Sequence, residues 1–246
     1  MIKAVYFDLD DTLYDQLQPF QLAVQSTNLV HYINERLTIE DLYRRIRRHS
    51  DRLWEKHSSG QMTLEELRVE RAVAAFHDLA IEISAEDALL LQQNYELEQN
   101  RLTLRVGVLK LFEQLRDSGI DIGLLTNGPV LHQWNKIKTL GLLNVFDEHA
   151  VYISDGIGIA KPDPHVFHHV QQRTAYLPDQ MAYVGDAWHN DITPSFRAGW
   201  LPIWLNPRKQ QPHAEDIDVK YMECQSIHEV LPMITQLKNR DTGCLL

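Results

Sequence analysis

The sequence contains little that would stabilise it outside the cytoplasm or hold it in a membrane. Only two of its 246 residues are cysteines, Cys224 and Cys244, so no disulfide framework is expected and a reducing cytoplasm is predicted. No apolar run approaches the roughly 18 residues that a membrane-spanning helix requires. We therefore expect a cytoplasmic protein without a membrane partner.

Basic residues are also scarce. The chain has 24 Lys and Arg against 34 Asp and Glu, a formal net charge of −10. The most basic run, Arg44–His49, lies within residues 16–99, which contain nine basic and fourteen acidic side chains. This balance favours a solvated helix face over a nucleic-acid surface, so no nucleic-acid partner is expected. The alternative that one arginine of this run binds a distal anionic group of a substrate stays open.

Glycine and proline are nearly absent from residues 16–99, where only Pro19 and Gly60 occur. A stretch with so few helix breakers and with apolar residues at helical spacing predicts consecutive helices. We place these helices near residues 18–35, 39–57, 63–80 and 84–99. Plausible N-caps precede the last three of them, at Thr38, Thr63 and Ser84.

The rest of the chain alternates strand patterns with helix patterns. The predicted strands cover residues 2–7, 120–125, 150–153, 181–184 and 201–205. This alternation predicts an α/β fold with a doubly wound, mostly parallel, Rossmann-like sheet. The predicted core comprises residues 1–15 and 100–246, and the helical module at 16–99 is inserted after the first strand. Such sheets bind ligands beyond the carboxyl ends of their strands.

Chemically versatile residues follow these strand ends. Asp8 and Asp10 are spaced to point to the same side, and Asp186 adds a third carboxylate from another strand end. Converging carboxylates repel one another, so a cation has to offset them, and an oxygen-only donor set suits Mg²⁺. Together with Lys161 as a fixed positive charge and a threonine hydroxyl, these groups suit a phosphoryl ligand.

The ordered set of motifs resembles the haloacid dehalogenase (HAD) superfamily, and the inserted helices resemble the small helical cap of its first subfamily. The resemblance covers essentially the whole chain. It rests on Asp8-x-Asp10-x-Thr12, Thr126, Lys161-Pro162, and Gly185-Asp186 with Asp191.

The resemblance implies a role for each matching residue. Asp8 would be the nucleophile that forms an aspartyl-phosphate, and Asp10 would be the general acid and base. Thr126 and the backbone N–H of Asn127 would bind phosphate oxygens, and Lys161 would offset the charge on Asp8 and the phosphoryl group.

The resemblance also implies a Mg²⁺ site. Asp8, the backbone carbonyl of Asp10, and Asp186 would hold the ion. Asp191 would contact a metal-bound water or Lys161.

The function predicted on this basis is a Mg²⁺-dependent phosphatase acting on a small phosphomonoester, of the nucleotide or sugar-phosphate class, through phospho-Asp8. A phosphomutase with the same intermediate, a haloacid dehalogenase and a non-catalytic binding protein stay as alternatives. Asp10 disfavours the dehalogenase, because carbon–halogen cleavage needs neither a leaving-group acid nor Mg²⁺. The expected partner is a small phosphorylated metabolite; the sequence does not indicate an oligomeric state.

Overall fold

The computed structural model describes residues 1–242, with side chains described through residue 236, so Cys244 lies outside the described residues. The chain divides into two compact units. One, here called the α/β unit, consists of residues 1–15 and residues from 103 onward. The other, the helical unit, consists of residues 16–102.

The α/β unit is built on a six-stranded sheet in the order β3-β2-β1-β4-β5-β6, and every neighbouring pair is parallel. The strands are β1 (Ala4–Phe7), β2 (Asp121–Thr126), β3 (Val151–Ile153), β4 (Met181–Gly185), β5 (Leu201–Leu205) and β6 (Met222–Cys224). The helices are α5 (Val108–Asp117), α6 (Val130–Thr139), α7 (Ser154–Ile157), α8 (His165–Gln171), α9 (Thr193–Arg197) and α10 (Val230–Thr242). The predicted α/β fold with a parallel sheet is confirmed.

The strand order reverses at β1, which lies between β2 and β4 in the middle of the sheet. Ligands of doubly wound sheets bind at such a reversal. β1 is buried along its whole length, as parallel strands covered on both faces must be. The residues that follow β1, β2 and β4 therefore share one edge of the sheet at its centre.

The helical unit contains α1 (Leu17–Gln25), α2 (Ile39–Ser58), α3 (Leu64–His77) and α4 (Ala85–Gln99). Its apolar core includes Phe20, Leu42, Phe76 and Leu91. The predicted N-caps of α2, α3 and α4 are confirmed, and each forms a capping box with an acidic residue three positions later.

One local prediction was wrong, and one strand was not predicted. The first helix was expected to continue to residue 35, but α1 ends at Gln25 and a separate 3₁₀ helix covers Asn28–Tyr32. The hydroxyl of Thr27 accepts a hydrogen bond from the Leu29 N–H, so a side chain replaces the backbone partner that a continuous helix would supply. β6, an edge strand of three residues, was not predicted.

Candidate active site

Asp8, Thr126 and Asp186 lie at the carboxyl ends of the three central strands. Asp8 follows β1, Thr126 is the last residue of β2, and Asp186 follows β4. The register pairs Phe7 with Leu124 on one side and with Val184 on the other. The parallel arrangement thus brings together residues that are more than 170 positions apart in the sequence.

Lys161 is the central cation of this edge. Its ammonium donates to Asp8 Oδ1 at 2.8 Å, to Asp191 Oδ1 at 2.6 Å and to Tyr183 Oη at 2.7 Å. All three donors of the ammonium are used, so its position is fixed. Tyr183, which the sequence analysis missed, donates in turn to the carbonyl of Leu125 at 2.6 Å.

The protonation equilibria of this cluster are strongly perturbed. Burial lowers the pKa of Lys161, but Asp191 and Asp8 outweigh burial and raise that pKa overall. Burial outweighs the opposing effect of Lys161, so the pKa of Asp8 is raised to about 7. One ammonium between two buried carboxylates cannot neutralise both, so the cluster has an excess of negative charge when both are ionised.

A third carboxylate makes this excess larger. Oxygen atoms of Asp8, Asp186 and Asp191 all lie within 4.8 Å of one another. With Lys161 included, three carboxylates and one ammonium have a formal charge of −2. The donor set consists only of hard oxygen atoms, so its charge and chemistry fit a divalent cation such as Mg²⁺.

Hydrogen bonds fix the Asp191 carboxylate and the backbone of Asp186 in the loop after β4. Asp191 Oδ2 accepts a hydrogen bond from the Ala187 N–H at 2.9 Å, and the indole of Trp204 donates to the Asp186 carbonyl at 2.8 Å. A Cβ on Gly185 would lie 2.5 Å from the Asp191 carboxyl carbon, so only glycine fits there. The loop geometry therefore depends on the Gly185-Asp186 pair of the sequence motif.

Asp10 faces a different set of partners from Asp8. Lys136 Nζ donates to Asp10 Oδ1 at 2.6 Å, and Gln133 Nε2 lies 3.0 Å from Asp10 Oδ2. The hydroxyl of Tyr14 also donates to Oδ1. Two carboxylates two residues apart thus lie in two different environments.

Gln133 and Lys136 were missed by the sequence analysis. Both lie on the buried face of α6 beside Ile137. Their signal was present in the sequence, since a glutamine and a lysine at positions i and i+3 of a helix interrupt the face that apolar residues should cover.

Thr126 and Asn127 are tied into the same network. Gln133 Nε2 donates to Thr126 Oγ1 at 2.6 Å and lies 2.8 Å from the Asn127 carbonyl oxygen. The Asn127 side chain donates to the Lys161 carbonyl at 2.7 Å and accepts from the Lys161 N–H at 3.0 Å. This reciprocal pair links the loop after β2 to the segment that carries Lys161.

A model of the haloacid dehalogenase-like hydrolases matches residues 2–199. The chain belongs to this family. It is 30% identical, over 96% of its length and 99% of the relative's, to glyceraldehyde 3-phosphate phosphatase of Methanopyrus kandleri. It is 25% identical to phosphoserine phosphatase of Thermus thermophilus, covering 87% of this chain and 93% of that one. The predicted family and the predicted enzyme class, a hydrolase of phosphoric monoesters, are confirmed.

Solved structures of the family agree with the fold. A HAD hydrolase from Bacillus subtilis, solved bound to magnesium, superposes with a TM-score of 0.69 at 25% identity, covering 94% of this chain and 98% of that one. L-2-haloacid dehalogenase from Xanthobacter autotrophicus superposes with a TM-score of 0.71 at 16% identity, covering 96% and 99%. Phosphatases and dehalogenases share this fold, so the fold alone does not choose between them. Within residues 1–242, no helix has the length and apolarity needed to cross a membrane.

Proposed function

We propose that this HAD hydrolase is a Mg²⁺-dependent, cytoplasmic phosphatase of small sugar phosphates such as glyceraldehyde 3-phosphate, and that it acts through a phosphorylated Asp8. The observation that carries the proposal is the contrast between Asp8 and Asp10. Asp8 is bound to Lys161 beside two further carboxylates, whereas Asp10 accepts hydrogen bonds from Lys136, Gln133 and Tyr14. Two carboxylates in different environments suit two different roles in one reaction.

In the first half-reaction, a carboxylate oxygen of Asp8 attacks phosphorus while the bond from phosphorus to the ester oxygen breaks. Asp10 gives its proton to the leaving oxygen, so the product departs as an alcohol. Lys161 offsets the negative charge that gathers between Asp8 and the phosphoryl oxygens.

In the second half-reaction, water attacks phosphorus and the bond to Asp8 breaks. Asp10, now a carboxylate, accepts the proton of that water. The contacts from Lys136 and Gln133 fix the direction of the Asp10 carboxyl in both half-reactions. Proton transfer over hydrogen-bond distance requires such a fixed direction.

Asp8, Asp186 and the carbonyl of Asp10 would hold Mg²⁺. When bound, the ion supplies charge compensation that lets an anionic nucleophile approach an anionic phosphate. Thr126 and the Asn127 N–H would bind phosphoryl oxygens, and Asp191 would act through Lys161, to which it is bonded at 2.6 Å.

The helical unit would act as a cap that opens for substrate and closes to exclude bulk water. Its position in the chain supports this role, since its two connections join the segment just after Asp8 and Asp10 to the rest of the α/β unit.

The sugar-phosphate class is favoured over the nucleotide class by the relatives, which are named for small esters: glyceraldehyde 3-phosphate, phosphoserine and, in Escherichia coli, phosphoglycolate. A dehalogenase is disfavoured by Asp10 and the three side chains that hold it, because halide release needs no acid at that position.

The test is phosphate release by the purified full chain from p-nitrophenyl phosphate and glyceraldehyde 3-phosphate. We expect turnover with Mg²⁺, loss of turnover with EDTA, and no turnover by Asp8→Asn at any Mg²⁺ concentration. A folded Asp8→Asn variant with wild-type turnover would contradict the nucleophile assignment.

Two further assays address the alternatives. Halide release from a 2-haloacid without added metal would replace the proposal with a dehalogenase. Phosphoryl transfer between sugar phosphates without phosphate release would replace it with a phosphomutase.

A further inference from the structure

Inside the helical unit lies a cavity of about 40 Å³, here called the arginine cavity. Three guanidinium groups line it, those of Arg47, Arg68 and Arg71, together with the polar side chains of Gln92 and Tyr95. None of these residues has a role in the proposed reaction. Charged side chains around a partly enclosed cavity usually have a partner that compensates them.

Arg71 has only neutral partners. Its Nη1 donates to Ser50 Oγ at 2.9 Å and its Nη2 donates to Gln92 Oε1 at 2.7 Å. Among the residues that the structure describes, no carboxylate lies within ion-pair distance of Arg71. A guanidinium has five N–H groups, so these two bonds leave three donors for a further ligand.

The surroundings of Arg71 increase its need for an anion. Burial, reinforced by the like charges of Arg68 and Arg47, lowers the pKa of Arg71 to about 10. The group still carries its full charge at neutral pH. Arg68 is compensated by Glu96 at 2.8 Å, which also accepts a bond from Gln92 Nε2 at 2.7 Å. The Gln92 amide is thereby oriented with its oxygen toward Arg71.

The size of the cavity limits the ligand. One water-sized group needs roughly 10–15 Å³ by this measure, so about three such groups fit in 40 Å³. A carboxylate head has three heavy atoms and fits in this space. A planar carboxylate also matches the two-pronged donor geometry of a guanidinium.

We propose that the arginine cavity binds the carboxylate group of a small organic anion, with Arg71 as its main donor. The binding site lies within the helical unit and does not depend on the phosphatase reaction. Its ligand differs in shape and size from the phosphoryl group that the α/β unit would bind.

The test is isothermal titration calorimetry of the full chain with sodium formate, in buffer that contains EDTA. We expect one saturable site in the wild type and at least about tenfold weaker binding by Arg71→Gln, the loss expected for a charge-assisted pair. The matched control is Arg44→Gln, which removes the same charge from an exposed arginine paired with Glu40 at 2.5 Å. The control should bind formate within about twofold of the wild type.

Arg71→Lys keeps the proposal testable if Arg71→Gln does not fold. Lysine retains the charge but loses the planar fork, so formate binding should again weaken. The proposal is overturned if the wild type shows no saturable formate site, or if folded Arg71 variants bind formate as the wild type does.

A second assay separates a free carboxylate from the carboxylate of a substrate, and this assay alone rests on the proposed function. It compares glyceraldehyde 3-phosphate with 3-phosphoglycerate, which has a carboxylate in place of the aldehyde. If Arg71→Gln raises the KM for 3-phosphoglycerate but not for glyceraldehyde 3-phosphate, the cavity binds the carboxylate of the substrate. If Arg71→Gln has the same KM as the wild type for both esters, the cavity binds a free carboxylate. If neither ester is hydrolysed, the proposed function fails while formate binding still tests the cavity.

Discussion

Each unit contains a cation held away from bulk water, and the two cations are held in opposite ways. Lys161 in the α/β unit is bonded to two carboxylates and lies in a cluster with a formal charge of −2. Arg71 in the helical unit is bonded only to a hydroxyl and an amide, with no carboxylate among its partners in the described part of the chain. Since uncompensated internal charge is costly, each imbalance indicates a missing partner of the opposite sign. The comparison predicts a cation site in one unit and an anion site in the other.

The largest effect is expected from Lys161→Met. This change leaves Asp8 and Asp191 buried without their shared cation, and breaking such a group costs about 3–5 kcal/mol of unfolding free energy. Turnover should be lost as well. Urea unfolding followed by tryptophan fluorescence measures the effect on the α/β unit, because four of the five tryptophans lie in it.

Arg71→Met is the matched change in the helical unit. Its partners Ser50 and Gln92 are neutral, so no buried charge is left behind. The free energy of unfolding, followed by circular dichroism, should therefore fall by less than about 2 kcal/mol. Equal costs for the two variants would contradict the contrast between the two cations.

The next effect concerns Mg²⁺. If Asp186 helps to hold the ion, Mg²⁺ at one hundred times its dissociation constant should stabilise the wild type by about 2.7 kcal/mol. Asp186→Asn should lose most of this stabilisation, measured as the Mg²⁺-dependent rise in Tm. Asp179→Asn, at an exposed position of the same unit, should keep it. An unchanged Mg²⁺ response in Asp186→Asn would remove Asp186 from the metal site.

A smaller effect is expected from Lys136→Met. The Asp10 carboxyl would lose a bond of 2.6 Å and part of its fixed orientation, so kcat should fall about 10- to 100-fold with little change in KM. Lys138→Met, an exposed lysine on the same helix, is the control and should leave kcat unchanged. Partial rescue by Lys136→Arg distinguishes positioning of Asp10 from a general loss of structure.

The sequence was sufficient to predict the elements that local rules determine. The parallel sheet followed from alternating patterns, and the capping boxes followed from Thr38, Thr63 and Ser84, because both depend on residues a few positions apart. Bringing Asp8 near Asp186 required only the rule that carboxyl ends of parallel strands meet at one edge.

The side-chain contacts of Asp10 and Arg71 could not be predicted from such local rules. Lys136 is 126 positions from Asp10, and Gln92 is 21 positions from Arg71. A break in an apolar helix face can mark an inward polar side chain, but which distant residue that side chain contacts depends on helix packing, and no periodicity encodes it. The basic run at Arg44–His49 lies on α2 and includes Arg47 of the arginine cavity, but the half-buried Arg71 on α3 was not singled out.

The smallest predicted effect tests whether formate binding depends on the stability of the helical unit or on the charge of Arg71. Ser84 caps α4, its Oγ accepting from the Asp87 N–H at 3.0 Å and donating to the Asp87 carboxylate at 2.7 Å. Ser84→Ala should therefore cost about 1 kcal/mol of unfolding free energy, and Ser84→Thr should retain most of it. Gln92 lies two turns further along α4, so the arginine cavity should bind formate with wild-type affinity in Ser84→Ala. If this neutral change weakened formate binding as much as Arg71→Gln does, the calorimetric signal would report the stability of the helical unit and not a guanidinium–carboxylate contact.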